Sequence, residues 1–356
     1  MLLLRFSQRA LRFNFPARTS RGALEEHTAW YLHLTDAATP TRAGLGEAAP
    51  LAGLSPDYGP NFGAAVAQLC ARFNAAGFAS FDAAEAPAFV GPGLPSLVFA
   101  LETAALDLAR GGTRQLYANA FSRGAASLPI NGLVWMGEAG FMREQIQQKL
   151  AAGYSCLKLK IGSLDFATEL ALLAEIRAVA GPDRLTLRVD ANGAFAPAEA
   201  LGKLQQLAEL AVHSIEQPIR AGQPLALARL CRASPVPVAL DEELIGLTDP
   251  AAQEALLDAV RPAYLVLKPT LLGGHAATRR WIALATSRGI SWWMTSALES
   301  NVGLNAVAQL TGEYDVAGFA QGLGTGQLYH NNVAAPLRID AGTLRYDPAG
   351  PWELPE

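Results

Sequence analysis

The stretch Cys156-Leu157-Lys158-Leu159-Lys160 alternates between two kinds of side chain, as a β-strand with two different faces does. Lys158 and Lys160 project from one face, and the leucines beside them project from the other. The apolar flanks favour an internal strand over a pair of solvated surface lysines. Because Lys160 ends the strand, its amine is a candidate for chemistry at the strand's carboxyl end.

Four further strand-like segments downstream also end in a polar residue. Counted from Lys160, these ends follow after 30, 26, 25 and 27 residues, at Asp190, Glu216, Asp241 and Lys268. One strand, one helix and their loops need about that many residues, since a parallel crossover alone takes at least ~10–12. A βα repeat with polar residues at the carboxyl ends of its strands is typical of a (β/α)-barrel active site.

The repeat predicts the fold class α/β. We expect a modified (β/α)7β barrel of the TIM type, with an α+β capping domain formed by the N-terminus and the C-terminal tail. The predicted boundaries are residues 1–125 for the capping domain, 126–322 for the catalytic barrel and 323–356 for the tail that returns to the cap.

The first 125 residues lack the regular rhythm of the barrel. Two segments with strand-like alternation precede two segments with helical apolar spacing, and the stretch between them contains four prolines. The barrel rhythm itself begins and ends with an apolar strand. The predicted ranges are strands over 2–15 and 28–34, a loop over 35–61, helices over 61–76 and 95–110, a first barrel strand over 128–134 and a last one over 316–321.

The composition argues against several classes of function. Hydrophobic residues make up 51% of the 356 residues and charged residues only 17%, which is typical of a large folded core. A net charge of −4 gives no electrostatic basis for a nucleic-acid partner. No apolar stretch approaches the ~20 residues of a membrane span, so we expect no membrane partner.

Cysteine usage and the N-terminal residues predict a cytoplasmic protein. The three cysteines are odd in number, widely spaced and part of no metal pattern, so we expect free thiols in a reducing compartment. The apolar run over residues 1–4 is too short for a signal peptide, and its arginines follow it rather than precede it. We interpret this run as the start of a strand.

Three acids end successive strands and would be neighbours in a barrel. Asp190, Glu216 and Asp241 would repel one another at one spot unless a cation lay among them. Hard oxygen ligands, with no cysteine or paired histidine, favour Mg²⁺, with Mn²⁺ as a substitute. The structural alternative is three helix caps or loop acids. Glu242 and Glu243 compete as ligands, and the sequence leaves that choice open.

Lysines flank these acids. Lys158 and Lys160 repel each other, which lowers the pKa of both and provides a base near neutral pH. Lys268 ends a strand roughly opposite, so a planar substrate held at the metal would meet an amine on each face. Arg188 shares a face with Asp190, and we expect it to be a buried ion-pair partner lower in the barrel.

Two features outside this constellation are less specific. The pair Gly273-Gly274 opens a predicted helix, and either an anion at the helix N-terminus or a tight turn explains it. His213 stands three residues before Glu216 without a metal-ligand spacing, which favours a structural role.

Together the residues resemble the enolase superfamily, in the branch with a Lys-x-Lys pair on the second barrel strand and a lysine on the sixth. The resemblance covers nearly the whole chain, the capping domain included. Within the superfamily the chain is most similar to the o-succinylbenzoate synthase family. The stretches that carry this similarity are residues 15–22, Pro129-Ile130-Asn131-Gly132-Leu133-Val134-Trp135, Ser214-Ile215-Glu216-Gln217-Pro218, Ala239-Leu240-Asp241-Glu242 and Ser296-Ala297-Leu298-Glu299-Ser300-Asn301-Val302-Gly303.

The resemblance implies a role for each residue of the constellation. The three acids would bind Mg²⁺. Lys160 would be the base, Lys158 its neighbour, and Lys268 the amine on the other face of the substrate. A cap loop over residues 19–22 would close over the substrate and exclude water. The implied substrate contacts are Ser20, Arg21, Asn192 and Ser296.

The implied activity is that of a hydro-lyase on a small carboxylate. It is the Mg²⁺-dependent syn elimination of water from 2-succinyl-6-hydroxy-2,4-cyclohexadiene-1-carboxylate, which gives o-succinylbenzoate in menaquinone biosynthesis. Lys160 would remove the α-proton, and the metal and Lys268 would stabilise the enediolate. Protonated Lys160 would then assist loss of the hydroxyl group.

Three other functions remain open. An N-acylamino acid racemase would use the same catalytic residues, with one lysine on each face of the substrate. A dipeptide epimerase of this superfamily usually carries Asp-x-Asp on the eighth strand, and residues 318–324 contain no acid. A catalytically silent barrel would bind a small acid without metal dependence or turnover. The sequence does not predict the oligomeric state.

Overall fold

The N-terminal part begins with an antiparallel sheet. The computed structural model describes residues 1–19 and 22–355. Three strands lie in chain order in this sheet: β1 (Leu2–Thr19), β2 (Gly22–Asp36) and β3 (Thr39–Ala48). The strands β1 and β2 contain the two predicted strands and extend beyond them.

Helices follow the sheet and pack against it. They are α1 (Phe62–Ala76), α2 (Ala86–Val90) and α3 (Pro95–Ala109), and the first and third confirm the two predicted helices. Proline starts α3 and Gly77 ends α1 in the left-handed conformation, both of which are favourable at those positions. The core between sheet and helices includes Leu4, Leu34, Val66, Phe73 and Leu101.

The strand β3 corrects the predicted loop over residues 35–61. Its first half is exposed and its second half is buried, so it lacks the apolar alternation of an ordinary strand. A Cβ atom on Gly44 would lie 2.0 Å from the backbone oxygen of Ala104, and one on Gly46 would lie 1.9 Å from that of Ala100. Helix α3 therefore packs directly on the backbone of β3, and the glycines that permit this contact made the strand look like a loop.

The rest of the chain is dominated by a parallel βα barrel. A short strand, β4 (Leu128–Pro129), precedes it. Within the described residues seven parallel strands then lie side by side in chain order. They are β5 (Gly132–Val134), β6 (Cys156–Lys160), β7 (Thr186–Asp190), β8 (Ser214–Glu216), β9 (Val238–Leu240), β10 (Tyr264–Leu267) and β11 (Ser291–Met294).

Helices connect these strands and cover the outside of the barrel. They are α4 (Ala139–Ala151), α5 (Phe166–Val179), α6 (Pro197–Glu209), α7 (Pro224–Ala233), α8 (Pro250–Val260), α9 (Pro269–Leu272), α10 (Gly274–Ser287) and α11 (Asn301–Thr311). Proline stands at the start of α6, α7 and α8, and Asp165 and Asp249 cap α5 and α8 through their side chains. These signals fix where α5, α6, α7 and α8 begin after their strands.

The barrel closes without a regular eighth strand. The predicted last strand over residues 316–321 is wrong as an extended strand. In the described part of the chain, this segment is joined to its neighbours by single parallel bridges, from Gln321 to Ile130 and from Gly322 to Thr295. Four backbone hydrogen bonds of 2.7–3.0 Å nevertheless join this segment to both neighbours. The segment is too short and too rich in glycine to form more strand hydrogen bonds, but it connects β5 and β11 and so closes the barrel.

The predicted first barrel strand over 128–134 is divided between two sheets. Gly132–Val134 pairs with β6, whereas Leu128–Pro129 pairs with the C-terminal tail. The tail forms a hairpin of β12 (Leu337–Asp340) and β13 (Thr343–Tyr346), and β13 pairs with β4 in an antiparallel sheet.

The tail also returns to the capping domain along β1. The backbone N–H of Asn14 donates to Leu328, and the N–H of His330 donates to Arg12. The side chain of Asn331 accepts from Arg12 and donates to Ala10. These bonds cover the free edge of β1 and join the two ends of the chain.

Two further expectations concern the chain as a whole. Cys70, Cys156 and Cys231 are free thiols, as predicted. In the part of the chain that the structure describes, no helix has the length and apolar character needed to cross a bilayer. The boundaries at 125/126 and 322/323 stay a prediction.

Candidate active site

The parallel register brings the polar strand ends to one point. Lys160 is paired with Asp190, and Asp190 with Glu216, so these three side chains lie at the same level on neighbouring strands. Asp241 follows β9 directly and Lys268 follows β10 directly. The barrel therefore collects all five residues at the carboxyl ends of its strands, where parallel barrels build their sites.

Lys158 lies deepest among the lysines and contacts two acids. Its side chain is 7% exposed, and Nζ lies 2.6 Å from Oε2 of Glu216 and 3.0 Å from Oδ2 of Asp190. The two carboxylates are almost fully buried. A charge that burial has removed from water requires a partner of opposite charge to compensate for the lost hydration.

Lys160 lies nearer the opening and is held by two acceptors. Its Nζ donates to Oδ2 of Asp190 at 3.1 Å and to Oδ1 of Asn192 at 2.8 Å. Asn192 has a φ of 43°, a left-handed conformation that asparagine tolerates better than most residues. Its backbone N–H also donates to Asp190, so the turn after β7 orients both the acid and the amine.

Lys268 approaches the acids from the opposite side. Its ammonium group donates to Asp241 and lies 4.0 Å from Oε1 of Glu216. The three lysines thus surround a row of three carboxylates, with Lys158 and Lys160 on one strand and Lys268 on another.

The ion pairs shift the pKa values of this cluster. Burial lowers the pKa of Lys158, but the charges of Asp190 and Glu216 outweigh burial and raise it above its ordinary value. We predicted that repulsion from Lys160 would lower the pKa of Lys158. That prediction is wrong, because the contacts with the carboxylates of Asp190 and Glu216 determine the direction of the shift. Burial also lowers the pKa of Lys268, but the charges of Asp241 and Glu216 outweigh burial and raise that pKa above its ordinary value.

The pKa values of Asp190 and Glu216 are shifted in opposite directions. Burial raises the pKa of Asp190, but the neighbouring Lys158 and Lys160 outweigh it and hold that pKa below its usual range. Burial and the charge of Asp190 raise the pKa of Glu216. One carboxylate of this buried pair is thus readily ionised and the other resists ionisation, as expected for like charges that share a site.

The donor set fits a hard divalent cation. Among the residues that the structure describes, Oε1 of Glu216 is buried without a hydrogen-bond partner, and the other ligand atoms of the three acids are also carboxylate oxygens. Among the residues described, no three His, Cys, Asp or Glu side chains are grouped as a ready-made metal site, because the ammonium groups lie against the carboxylates. The oxygen chemistry and the orphaned Glu216 atom agree with a metal, and a bound cation would compete with the lysines for these oxygens.

The two competing acids point to different neighbours. Glu242 accepts a hydrogen bond from Nδ2 of Asn192 at 3.1 Å, at the edge of the cluster. Glu243 instead accepts from the backbone N–H of Gly222 at 3.1 Å and contacts the Gln217 amide. Glu243 therefore supports the loop after β8 rather than the cluster.

A cavity of about 230 Å³ opens above the cluster. The capping domain supplies an apolar side of it through Phe15, Leu24, Leu51 and Leu54. The barrel supplies Lys158, Lys160, Asp190 and Lys268 on one side and the segments after β11 and at 322–325 on the other. The site therefore lies between the two parts of the molecule.

Two of the predicted substrate contacts line this cavity. Asn192 is held by Lys160 and Glu242, and Ser296 donates to Glu299 and accepts from Thr325 at 2.7 Å. Ser20 and Arg21 lie outside the described residues, so their contacts stay a prediction.

Sequence reasoning missed the role of Gln217. Its Oε1 accepts from the backbone N–H groups of Asp241 and Glu243, and its φ is 39°. It therefore fixes the start of the loop that carries Asp241. The only available signal was its position directly after Glu216.

Arg188 is buried, and aromatic rings rather than acids surround its guanidinium group. Within residues 1–19 and 22–355 no carboxylate lies within salt-bridge distance; the guanidinium instead lies 4.2 Å from the ring centre of Trp293 and 4.5 Å from that of Phe319. Nη1 donates to the backbone oxygen of Ala320 at 2.7 Å. The predicted ion pair is wrong because aromatic faces, not acids, surround this cation. His213 contacts Ser214 and Tyr264 below the site, which agrees with a structural role.

The open question about Gly273-Gly274 is answered by the capping domain. The carboxylate of Glu102 on α3 accepts from the backbone N–H groups of His275 and Ala276 at the start of α10. The group at this helix N-terminus is therefore a carboxyl group of the protein itself, and burial raises its pKa to about 7.

A second carboxylate of the capping domain caps α11 in the same way. Glu47 on β3 accepts from the N–H groups of Ser300 and Gly303, each at 2.7 Å, and from the hydroxyl of Ser300. Neither acid was singled out from the sequence, because each acts on a helix some 170 or 250 residues later.

The sequence and the structure are similar to known proteins. Residues 141–351 match the family described as enolase C-terminal domain-like. A relative from Desulfotalea psychrophila, named o-succinylbenzoate synthase, is 46% identical over 96% of this chain and 98% of its own length. A crystal structure described as MenC from that organism superposes with a TM-score of 0.85 at 42% identity, over 97% of this chain and 99% of the other. A relative from Thermus thermophilus, named N-succinylamino acid racemase, is 38% identical over 44% of this chain and 40% of its own length.

Proposed function

The chain belongs to the enolase superfamily, and we propose that it dehydrates 2-succinyl-6-hydroxy-2,4-cyclohexadiene-1-carboxylate to o-succinylbenzoate, as a step of menaquinone biosynthesis. The observation that carries this proposal is the 46% identity, over nearly both full lengths, to the relative named o-succinylbenzoate synthase. The cluster of three acids between lysines, in a cavity closed by the capping domain, supports it.

We propose that Asp190, Glu216 and Asp241 hold the cofactor Mg²⁺. When bound, this cation supplies positive charge beside the ring carboxylate and makes the neighbouring C–H more acidic. The acids need no large movement for this role, because the β-strands already hold them at neighbouring strand ends.

Lys160 removes the α-proton of the substrate through its Nζ. Asn192 and Asp190 hold this amine at 2.8 and 3.1 Å, which fixes its direction toward the cavity. The ammonium group of Lys268 stabilises the negative charge that develops on the carboxylate oxygens from the other face. Lys160, now protonated, returns the proton to the departing hydroxyl group, so that water leaves and the ring becomes aromatic.

Lys158 supports this chemistry from below. It bridges Asp190 and Glu216 and is the less exposed of the two lysines on β6, with 7% of its side chain exposed against 12% for Lys160. The apolar residues of the capping domain, together with the proposed cap loop over residues 19–22, limit the access of water.

The proposal is tested by following conversion of the cyclohexadiene substrate to o-succinylbenzoate by absorbance. Wild type with Mg²⁺ should turn over, and a chelator should abolish turnover. Lys160→Ala should lower kcat by ~10²–10⁴-fold, which is the usual contribution of a general base. Absence of turnover by Mg²⁺-loaded wild type would refute the synthase assignment.

N-succinylamino acid racemisation is the second candidate. The partial similarity to the Thermus relative favours it, as does the placement of a lysine on each side of the acids. It predicts exchange of the α-proton of N-succinylamino acids in D₂O, at a rate that NMR can follow. Exchange without dehydration would make racemisation the main activity.

A further inference from the structure

The backbone of Glu242 is held firmly beside the candidate active site. This residue begins the short 3-10 turn Glu242–Leu244, directly after Asp241. The backbone N–H groups of its two neighbours, Asp241 and Glu243, both donate to Oε1 of Gln217, at 3.2 and 3.3 Å. The N–H of Leu244 donates to the backbone oxygen of Asp241 at 3.0 Å, and Leu244 is fully buried. The turn therefore presents the Glu242 side chain from a fixed position.

The carboxylate of Glu242 meets the donor end of the Asn192 amide. Nδ2 of Asn192 donates to Oε1 of Glu242 at 3.1 Å, and Oδ1 of Asn192 accepts from Nζ of Lys160 at 2.8 Å. An amide has an acceptor end and a donor end, whereas an ammonium group only donates and a carboxylate only accepts. The reversed amide would set two donors against each other on one side and two acceptors on the other. Glu242 thus keeps the oxygen of Asn192 directed at Lys160.

This orientation of the amide matters most when Lys160 is a neutral amine. A neutral amine has two N–H bonds and one lone pair, and the lone pair is what removes a proton. Oδ2 of Asp190 and Oδ1 of Asn192, at 3.1 and 2.8 Å from Nζ, can accept the two N–H bonds. The lone pair then remains for a substrate in the cavity, which Lys160 lines. If the Asn192 amide turned over, its Nδ2 would donate to the lone pair and block the base.

The neighbouring acid, Glu243, contacts a different loop. Its carboxylate accepts from the backbone N–H of Gly222 at 3.1 Å and contacts the side-chain amide of Gln217 at 3.5 Å. Two adjacent glutamates therefore serve different parts of the site. Glu242 reaches the loop after β7, which carries Asn192, whereas Glu243 reaches the loop after β8. This division provides a matched pair of positions for experiment.

We propose that Glu242 is a positioning residue for the base: it fixes the orientation of the Asn192 amide, so that the lone pair of Lys160 faces the substrate. The inference rests on the proposed function, since it concerns the base of that reaction. It also separates Glu242 from the three acids proposed as metal ligands, because Glu242 acts through Asn192 and not on the cation. The loss of Glu242 should therefore slow proton removal without weakening the binding of Mg²⁺ or of the substrate.

The test measures kcat and KM for dehydration of the cyclohexadiene substrate in Mg²⁺-containing buffer. Glu242→Leu should lower kcat by ~10–100-fold, the usual effect of removing a group that orients an active residue, with KM little changed. Glu242→Gln keeps an acceptor oxygen but adds a donor, so its kcat should lie between those of Glu242→Leu and wild type. Glu243→Leu is the matched control and should keep a kcat close to that of wild type. Equal losses at the two positions would refute the inference.

A double-mutant cycle shows whether Glu242 acts through Asn192. In an Asn192→Ala background the amide is absent, so Glu242→Leu should cause no further loss of kcat. A full further loss would show that Glu242 acts by another route, such as the effect of its charge on Lys268, and would refute the inference.

Melting temperature separates positioning from metal binding. Mg²⁺ should raise the melting temperature of Glu242→Leu as much as that of wild type, whereas a lost response would make Glu242 a metal ligand and refute the inference. If wild type turns over and Glu242→Leu matches its kcat, only this inference fails. If wild type forms no o-succinylbenzoate, the synthase assignment fails, and the rates of α-proton exchange from N-succinylamino acids then test the inference with the same variants.

Discussion

Lys158 shows at the scale of a single residue how the cluster depends on paired charges. Its ammonium group lies within 3.0 Å of two buried carboxylates, so its removal leaves both Asp190 and Glu216 with one partner fewer. We expect Lys158→Met to destabilise the metal-free protein by ~3–5 kcal/mol, the usual cost of breaking a buried pair. Urea unfolding in the presence of a chelator measures this change.

An exposed ion pair provides the control for Lys158. Arg143 bonds to Glu175 with two nitrogens, but the two side chains are 45% and 49% exposed. Arg143→Met should therefore change stability by less than ~1 kcal/mol. Equal effects of the two substitutions would contradict the importance of burial.

The residues of the cluster were predictable for one reason. In parallel strands of similar length, the last polar residue of each strand reaches the same end of the sheet, so spacing alone indicated Lys160, Asp190 and Glu216 as neighbours. Gln217 was not predictable, because its role depends on a contact with the backbone of Asp241, 24 residues away. The surroundings of Arg188 were not predictable either, since the rings of Trp293 on β11 and Phe319 in the closing segment replaced the expected acid.

At the scale of elements, carboxyl groups of the capping domain accept hydrogen bonds from the N-termini of two barrel helices, α10 and α11. Gly274 has a φ of 94°, and a Cβ atom there would lie 2.0 Å from Oε2 of Glu102. We expect Gly274→Ala to displace this carboxylate and to cost more than the ~1 kcal/mol of a strained backbone alone. Gly289, with a φ of 66° and open space around it, gives the backbone contribution by itself. Thermal unfolding of both variants should rank Gly274→Ala as the less stable.

The carboxylate at the start of α11 makes stability depend on pH. Burial raises the pKa of Glu47 from its ordinary value of 4.5 to about 7. A raised carboxyl pKa means that the folded state holds the proton more tightly than the unfolded state. The resulting stability is complete below about pH 4.5 and is lost as pH rises through about 7, by at most ~3 kcal/mol.

Glu47→Gln tests this dependence, because glutamine keeps the shape and does not titrate. Its stability should fall less than that of wild type between pH 4.5 and pH 7, as measured by chemical unfolding at several pH values. The groups that face Glu47 are kept unchanged in the experiment; they include Ser300, Glu299 and the two tyrosines Tyr31 and Tyr329. Parallel curves for the two proteins would refute the role of Glu47.

Elements were predictable where periodicity was strong. The βα units follow from helix starts at proline or aspartate and from buried strands of leucine and valine. The strand β3 was not predictable, because direct packing of α3 replaced apolar side chains with glycine. Residues 316–321 are as apolar as a strand, which is why we predicted one there. In the described structure, single β-bridges at Gln321 and Gly322 join the segment to its neighbours.

At the scale of the whole molecule, metal binding should stabilise the fold. A cation that binds only the folded state adds RT ln(1 + [L]/Kd) to stability, which is ~2.7 kcal/mol at a concentration of 100 Kd. We therefore expect Mg²⁺ to raise the melting temperature by a few degrees in wild type and a chelator to reverse the rise. Asp241→Asn should weaken the response, and an undiminished response would place the metal elsewhere.

The bonds along β1 have a consequence for synthesis on the ribosome. The side chain of Asn14 donates to the backbone of Gln327, 313 residues later, and the partners of Arg12 and Ala10 come later still. At ~5–20 residues per second, roughly 15 to 60 s pass between the emergence of the two partners. During that time the nascent chain exposes an edge strand with free backbone groups, which is a template for aggregation. The strand β1 thus leaves the ribosome long before the residues that complete its hydrogen bonds, and we expect the nascent chain to benefit most from a chaperone during this interval.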